Sequence, residues 1–250
     1  MQANSIPEVL QVLDQIISEC KAKNSRLGYF AVLYRMMTAA VAEGMKKNFF
    51  DDTARMEKLD VVFANRYLQA YFDYKDGKRV TQSWKMAFDA AQQDDLIVVQ
   101  HLLLGINAHI NLDLGIAAAD ICSNENIREL QHDFVKINDT IADVYSVLQP
   151  RFTKISWPAI FLSKLNPRAV NNTINFSIVK AREVAWANAL ILCNAGNNNR
   201  EEIIRHTDNI VLKVGNAVKN PSSLKNMALK IIHLFENKNI AANITTLGSQ

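Results

Sequence analysis

The chain is poor in turn formers. Its 250 residues include only 8 Gly and 5 Pro, too few for the many tight turns of a sandwich or barrel. No polar and apolar alternation runs long enough to build a sheet, and nothing repeats at a fixed period. The three cysteines, Cys20, Cys122 and Cys193, are odd in number, far apart and free of C-x-x-C spacing, which excludes a disulfide framework or zinc ribbon. Free thiols in apolar helical settings point to a reducing cytoplasm. No basic segment followed by an apolar run opens the sequence, so secretion is not expected. The apolar runs break before the ~20 residues of a membrane span, so none is expected. A formal charge of +3 is too small to call for nucleic acid. Lysines 213, 219, 225, 230 and 238 make the C-terminal part basic, but without interleaved aromatics they read as a solvated face. H-E-x-x-H, Glu-x-x-His pairs, a Gly-rich phosphate loop and G-x-S-x-G are all missing, which disfavours di-iron, nucleotide-driven and serine-hydrolase chemistry.

What is present is 49% hydrophobic residues in helical spacing. A chain of this length can bury roughly 70–75% of its unfolded surface without a metal or disulfide. Start and stop signals divide it into about nine or ten helices of a single all-α domain over residues 1–250, with residues 198–250 either part of it or a C-terminal layer. Ser5 with Glu8 opens the first helix as a capping box, and the second ends near Lys47. Asp51 or Asp52 caps a third that runs to about Tyr74, and Thr81 opens a short fourth. A central helix spans about Asp95 to Cys122, and the next runs from Ile127 until Gln149 and Pro150 stop it. Residues 150–166 form a connector, and Asn166 with Pro167 starts a long helix to Gly196. Asn198 with Glu201 opens another helix, Ser222 or Ser223 caps the last one, and the tail after Asn239 frays.

The stretch "HLLLGINAHINLDLG" at residues 101–115 decides where chemistry is sought. At 100° per residue its leucines and isoleucines cover most of the circumference, and a helix that is apolar all round is buried. Its polar groups are then buried too, and each needs a partner or costs on the order of 1–3 kcal/mol. They fall into two sets. His101, Gly105, His109 and Asp113 follow a slowly drifting row, while Asn107 and Asn111 form an i, i+4 pair that reads mainly as an interhelical clamp and secondarily as a substrate contact. His109 and Asp113, one turn apart, suit either two ligands of one divalent metal or a carboxylate that orients an imidazole. A buried structural network is the competing account. His101, about 12 Å from His109, is too far to share an ion with it.

A metal centre needs about three protein ligands. The third helix puts Asp60 on one side with Ala64, Tyr67 and Tyr71, which makes it the first choice to complete a site, against a position at the solvent edge. In "KAREVAWANALILC", Arg182 would hold an anionic substrate or make a packed salt bridge, and Glu183 would be a further ligand or base. His132, His206 and His233 get no role.

The strings "LDVVFANRYLQAYF", "HLLLGINAHINLDLG" and "AREVAWANA" together resemble an uncharacterised bacterial all-helical family, a domain of unknown function, with an N-A-H-I-N-x-D-L hallmark at residues 107–114. The likeness runs from about Phe30 to about Cys193. It implies a compact helical protein and marks Asn107, His109, Asn111 and Asp113 as the signature, without an activity. The His-x-x-x-Asp pair is also similar, as chemistry and not as kinship, to that of the all-α zinc phospholipase C and nuclease group. That group needs further histidines in set positions, and this chain has 5 in all.

Two functions are expected from these residues. One is hydrolysis of a small ester or phosphoester, metal-dependent (zinc, manganese or iron) or acid-base, by His109, Asp113 and Asp60. Arg182, Asn107, Asn111, His101 and Tyr67 would contact the substrate, and Glu183 would assist the metal. The other is non-catalytic binding of an apolar or amphipathic small molecule among Phe30, Tyr34, Met37, Phe63, Tyr67 and Trp186, with the buried polar residues purely structural. The oligomeric state stays open.

Overall fold

Helices begin where carboxylates and hydroxyls are available to take the first free N–H groups. In the computed structural model, which describes residues 2–122, 127–156 and 167–249, Ser5 caps α1 (Ile6–Ala22) through the Glu8 N–H. Asp52 caps α3 (Thr53–Lys75) through the Arg55 N–H. Between them α2 spans Leu27–Lys46. Other starts are held from a distance. The Thr81 side chain makes no cap for α4 (Gln82–Ala90). Instead Asp208, on α9 (Asn197–Lys219), accepts the Gln82 and Ser83 N–H groups at 2.7 and 3.0 Å. Asp133, on α7 (Gln131–Ile155), accepts those of Asp51 and Asp52 at 2.7 and 2.9 Å. Glu236 accepts the Val98 N–H with both oxygens, at 3.0 and 3.2 Å. Burial raises the Glu236 carboxyl to about 7 against the opposing pull of that N–H.

The Glu236 contact fixes where the central helix begins. It starts at Val98, not at Asp95, and comprises α5 (Val98–Ala108), a π-helical turn (His109–Asp113) and α6 (Leu114–Ile121). Together they form one rod over Val98–Ile121, long and apolar enough to cross a membrane by length and composition, with 78% of its apolar 18-residue window buried inside the fold. With that rod counted once, the described residues form ten α-helices, and no strand occurs among them. The core wraps the rod. Its first half packs on α2, α4 and α9, and its second half on α3 and on α8 (Pro167–Asn194).

Several boundaries differ from the sequence expectation. Residues Ile127–Leu130 form a 3-10 turn before α7. α7 does not stop at Pro150 but continues to Ile155. Leu148 and Ile155 are both buried, and Arg151 donates to the Leu247 carbonyl at 2.6 Å, so packing on either side of the proline holds the helix together. α9 starts at Asn197 behind Gly196, with no side-chain cap in place of the Asn198 box. After α10 (Ser223–Phe235), the tail expected to fray is α11 (Ile240–Gly248), capped by Asn239 through the Ala242 N–H. Its Ile244 and Leu247 are buried against α1, α2 and α7. The "SNEN" break at 123–126, the end of the connector and the Asn166 cap lie outside the described residues.

Two glycines let helices approach the rod. A Cβ on Gly105 would lie 2.5 Å from the Phe30 ring, so Phe30, and not a ligand, fills the space beside it. A Cβ on Gly115 would lie 2.8 Å from the Ala185 backbone oxygen. A backbone atom cannot swing aside as a side chain can. Gly115→Ala should therefore destabilise the fold by about 1–3 kcal/mol, the usual range for overpacking, as read from urea midpoints at constant slope. A change below ~0.5 kcal/mol would show that α8 can slide.

Candidate functional site

The π turn sits on the signature string. The Leu114 N–H bonds back to the His109 carbonyl, five residues earlier, so the turn carries one residue more than an α-helix. Such bulges are rare and concentrate at functional sites. Here the turn presents His109 and Asp113, both essentially buried, to α2, α3 and α4.

Asp113 is the hub. Oδ1 accepts from Arg66 Nε at 2.9 Å, and Oδ2 accepts from Trp84 Nε1 at 2.8 Å and from His109 Nδ1 at 3.2 Å. Burial pushes its pKa up, but Arg66, His109 and Trp84 together outweigh that and hold it below the ordinary carboxylate range. Asp113 is thus ionised, which fixes the His109 proton on Nδ1 and leaves Nε2 as a lone-pair acceptor. Burial lowers the His109 pKa although Asp113 opposes the shift, so the ring is neutral at pH 7.

That Nε2 has no partner among the described residues. An aromatic cage surrounds the ring. Phe63 stacks on it at 3.6 Å between centroids, and Tyr34 meets it edge-on at 4.5 Å. Phe30, Trp84 and Tyr67 stand at 5.7–6.1 Å. Along the seam between α2 and α3, the Tyr67 hydroxyl and Asp60 Oδ2 are likewise unpartnered. The hydroxyls of Tyr34 and Thr38, one turn apart, are near each other without the geometry of a hydrogen bond. All five residues are at most 7% exposed. Asp60 is close enough for its charge to raise the Tyr34 hydroxyl. Burial, with a smaller push from Glu57, raises Asp60 itself to about 7. Polar atoms buried without partners are costly, and these five, grouped along one seam as the His109 chamber, are donors and acceptors that a small polar group would satisfy.

The structure therefore brings His109, Asp113, Asp60 and Tyr67 toward one seam, with Asp60 interior and not at the solvent edge. It corrects other assignments. Asp113 is engaged by three donors, Arg66 on Oδ1 and Trp84 and His109 on Oδ2, so in this structure it acts as a hydrogen-bond hub. Glu183 is exposed and pairs with Lys180 at 2.6 Å, so it reaches no interior site. Arg182 is buried against Phe134 of α7 and holds none of these carboxylates. Asn107 acts as a clamp, donating to the Val211 carbonyl of α9 at 2.9 Å and accepting from Asn111 at 2.8 Å. His101 lies apart from His109. It lines a separate cavity of about 20 Å³ with Arg26, Phe30, Tyr67 and Trp84, room for one water, and burial lowers its pKa to about 4.

Among the described residues, three metal-type donors converge only at Asp51, His132 and Asp133. Asp133 is spent there on backbone N–H groups, and Lys136 sits 2.5 Å from Asp51, so capping and ion pairing account for the cluster. Arg66 and Trp84, central to the Asp113 hub, were given no role by sequence reasoning. The one available signal was the indole N–H of a tryptophan on a buried face, which needs an acceptor.

No curated protein and no solved structure matches the chain. The signature residues, the π turn that carries them and the helices that cage them all fall within residues 6–221, the span that matches the model of the Family of unknown function (DUF5995). The chain belongs to that family.

Proposed function

We propose that the His109 chamber is an acid-base site that hydrolyses a small uncharged ester. The observation that carries this reading is the unpartnered His109 Nε2, a neutral imidazole acceptor oriented by an ionised Asp113, its ring against Tyr34, whose hydroxyl also feels the charge of Asp60. In this mechanism His109 takes the proton from an attacking water, and Asp113 stabilises the imidazolium that forms. Asp60, raised to about 7, is half protonated at neutral pH and serves as the acid toward the leaving oxygen. Two titratable groups pushed in opposite directions by their surroundings are the usual mark of an acid and base pair.

A phosphoester is the poorer substrate, because Arg66 is committed to Asp113 and Arg182 lies elsewhere. A groove of about 900 Å³, lined by Ile6, Leu10, Ala42, Met45, Thr53 and Glu57, runs between α1, α2 and the start of α3. Glu57 is one turn from Asp60 on α3, so a substrate entering from this side would meet an apolar groove first, which favours esters with an apolar part.

Hydrolysis of p-nitrophenyl butyrate is the test. His109→Gln should lower kcat/KM by roughly 100-fold or more, the range for a lost general base. Wild-type kcat/KM should fall as pH rises past about 7, where Asp60 loses its proton, and Asp60→Asn should remove that limb. Equal rates for wild type and His109→Gln would refute the reading. The aromatic cage supports a second one, retention of a small amphipathic molecule without turnover. A copurified ligand in native mass spectrometry that is lost in His109→Gln, together with no esterase activity, would favour it.

A further inference from the structure

Arg182, on α8, is 4% exposed. Its Nη2 donates to the Phe134 carbonyl, its guanidinium lies 4.5 Å from the Phe134 ring centroid, and its Nε has no acceptor among the described residues. A guanidinium offers five donors in a fixed fork, and among the described residues this one has a single acceptor and no counter-charge. The acids on the elements around it are spent or turned away. Glu183 pairs with Lys180, Asp120 with Arg200, and Asp133 caps the Asp51 and Asp52 N–H groups. Asp139 and Asp143 of α7 are exposed. Burial lowers Arg182 to about 9, which still leaves it protonated at neutral pH.

A ring face and one carbonyl stabilise a cation, but neither neutralises it. A buried charge left without its partner is among the more destabilising features a fold can carry. One turn beyond Phe134, Asn138 has its Oδ1 buried and unpartnered. Turning that amide over would put an N–H where the orphaned oxygen stands, since an amide carries a donor at one end and an acceptor at the other. A cation fork and an adaptable amide on adjacent helices are complementary to one kind of guest, a planar or tetrahedral oxyanion accepted two-pronged by arginine.

We propose that Arg182 anchors an anion site, separate from the His109 chamber, that takes a small carboxylate or phosphate group. The site neutralises the guanidinium between α7 and α8, so its occupancy is coupled to the stability of the whole chain.

Thermal unfolding of the full chain at constant ionic strength, in chloride, tests this with sodium phosphate and sodium acetate as probes. A saturable rise in Tm with either probe, absent in Arg182→Met, is the expected result. The response to phosphate against acetate tells which oxyanion the site prefers. Arg182→Met should itself be as stable as the wild type without added oxyanion, because an apolar side chain of similar length removes the unpaired charge. No rise with either probe, or an equal rise in Arg182→Met, would overturn the proposal. Should Arg182→Met not fold, Arg182→Lys keeps the charge and loses the fork. Its phosphate dissociation constant by calorimetry should then be at least about tenfold weaker, and an unchanged constant would overturn the proposal equally.

Discussion

Asp113→Ala should destabilise the protein by about 3–5 kcal/mol, the range for removing one partner of a buried ion pair. Three donors depend on that carboxylate, Arg66, Trp84 and His109. Without it the Trp84 N–H is sealed in a cage with no acceptor, and the His109 ring loses the contact that fixes its proton on Nδ1. Arg66 is 27% exposed and recovers part of its loss by turning to water, which keeps the effect from exceeding that range. Asp113→Asn should cost less, because its amide oxygen still accepts from Trp84 or His109 while the charge toward Arg66 is lost. Urea unfolding followed by tryptophan fluorescence measures both. A cost under ~1 kcal/mol for Asp113→Ala would mean that the hub does not form.

Asp60→Asn should do the opposite and stabilise the protein in mild alkali. The folded chain holds the Asp60 proton up to about pH 7, whereas an unfolded chain releases it near pH 4. Between those values the folded state binds more protons, so the stability owed to this residue is full below pH 4 and is lost as pH rises through 7. The amplitude is roughly 4 kcal/mol, from about 1.4 kcal/mol per pH unit. Glu236 contributes a loss of the same sign. His101 and His109, both lowered, act the other way below about pH 6.5, where the unfolded chain takes up protons that they refuse. Comparing Asp60→Asn with wild type from pH 5 to 9 cancels these shared parts. The variant should become the more stable of the two by pH 8, and parallel curves would show that Asp60 is ionised and satisfied in the fold.

The buried rod was legible because leucine and isoleucine cover its whole circumference, and no surface helix tolerates that. The stripe that Asp60 shares with Ala64, Tyr67 and Tyr71 made an interior position readable, but the pattern alone did not separate it from a place at the solvent edge. The π turn was not, since one additional residue in a single turn leaves no trace in a pattern averaged over several. Arg66 and Trp84 reach Asp113 from helices that meet only in the folded chain, so nothing adjacent in sequence announces the contact. Arg182 and Glu183 are neighbours about 100° apart on a helix. The sequence could say that they do not face the same way, but not which one is buried. Pro150 would stop an isolated helix, and only the packing of Leu148 and Ile155 on either side of it overrules that tendency.

The carboxylates that start α3, α4 and the central rod have a temporal meaning as well as a spatial one. Asp133 lies 82 residues after the first N–H it accepts, Asp208 lies 126 and Glu236 lies 138. As the chain leaves the ribosome, these helices emerge with open N-termini and stay provisional until later residues arrive to close them. The rod that carries His109 is closed last, by Glu236, beyond the end of the family match at residue 221. A product cut short after α9 would retain every residue of the signature and lack the carboxylate that closes the helix bearing it.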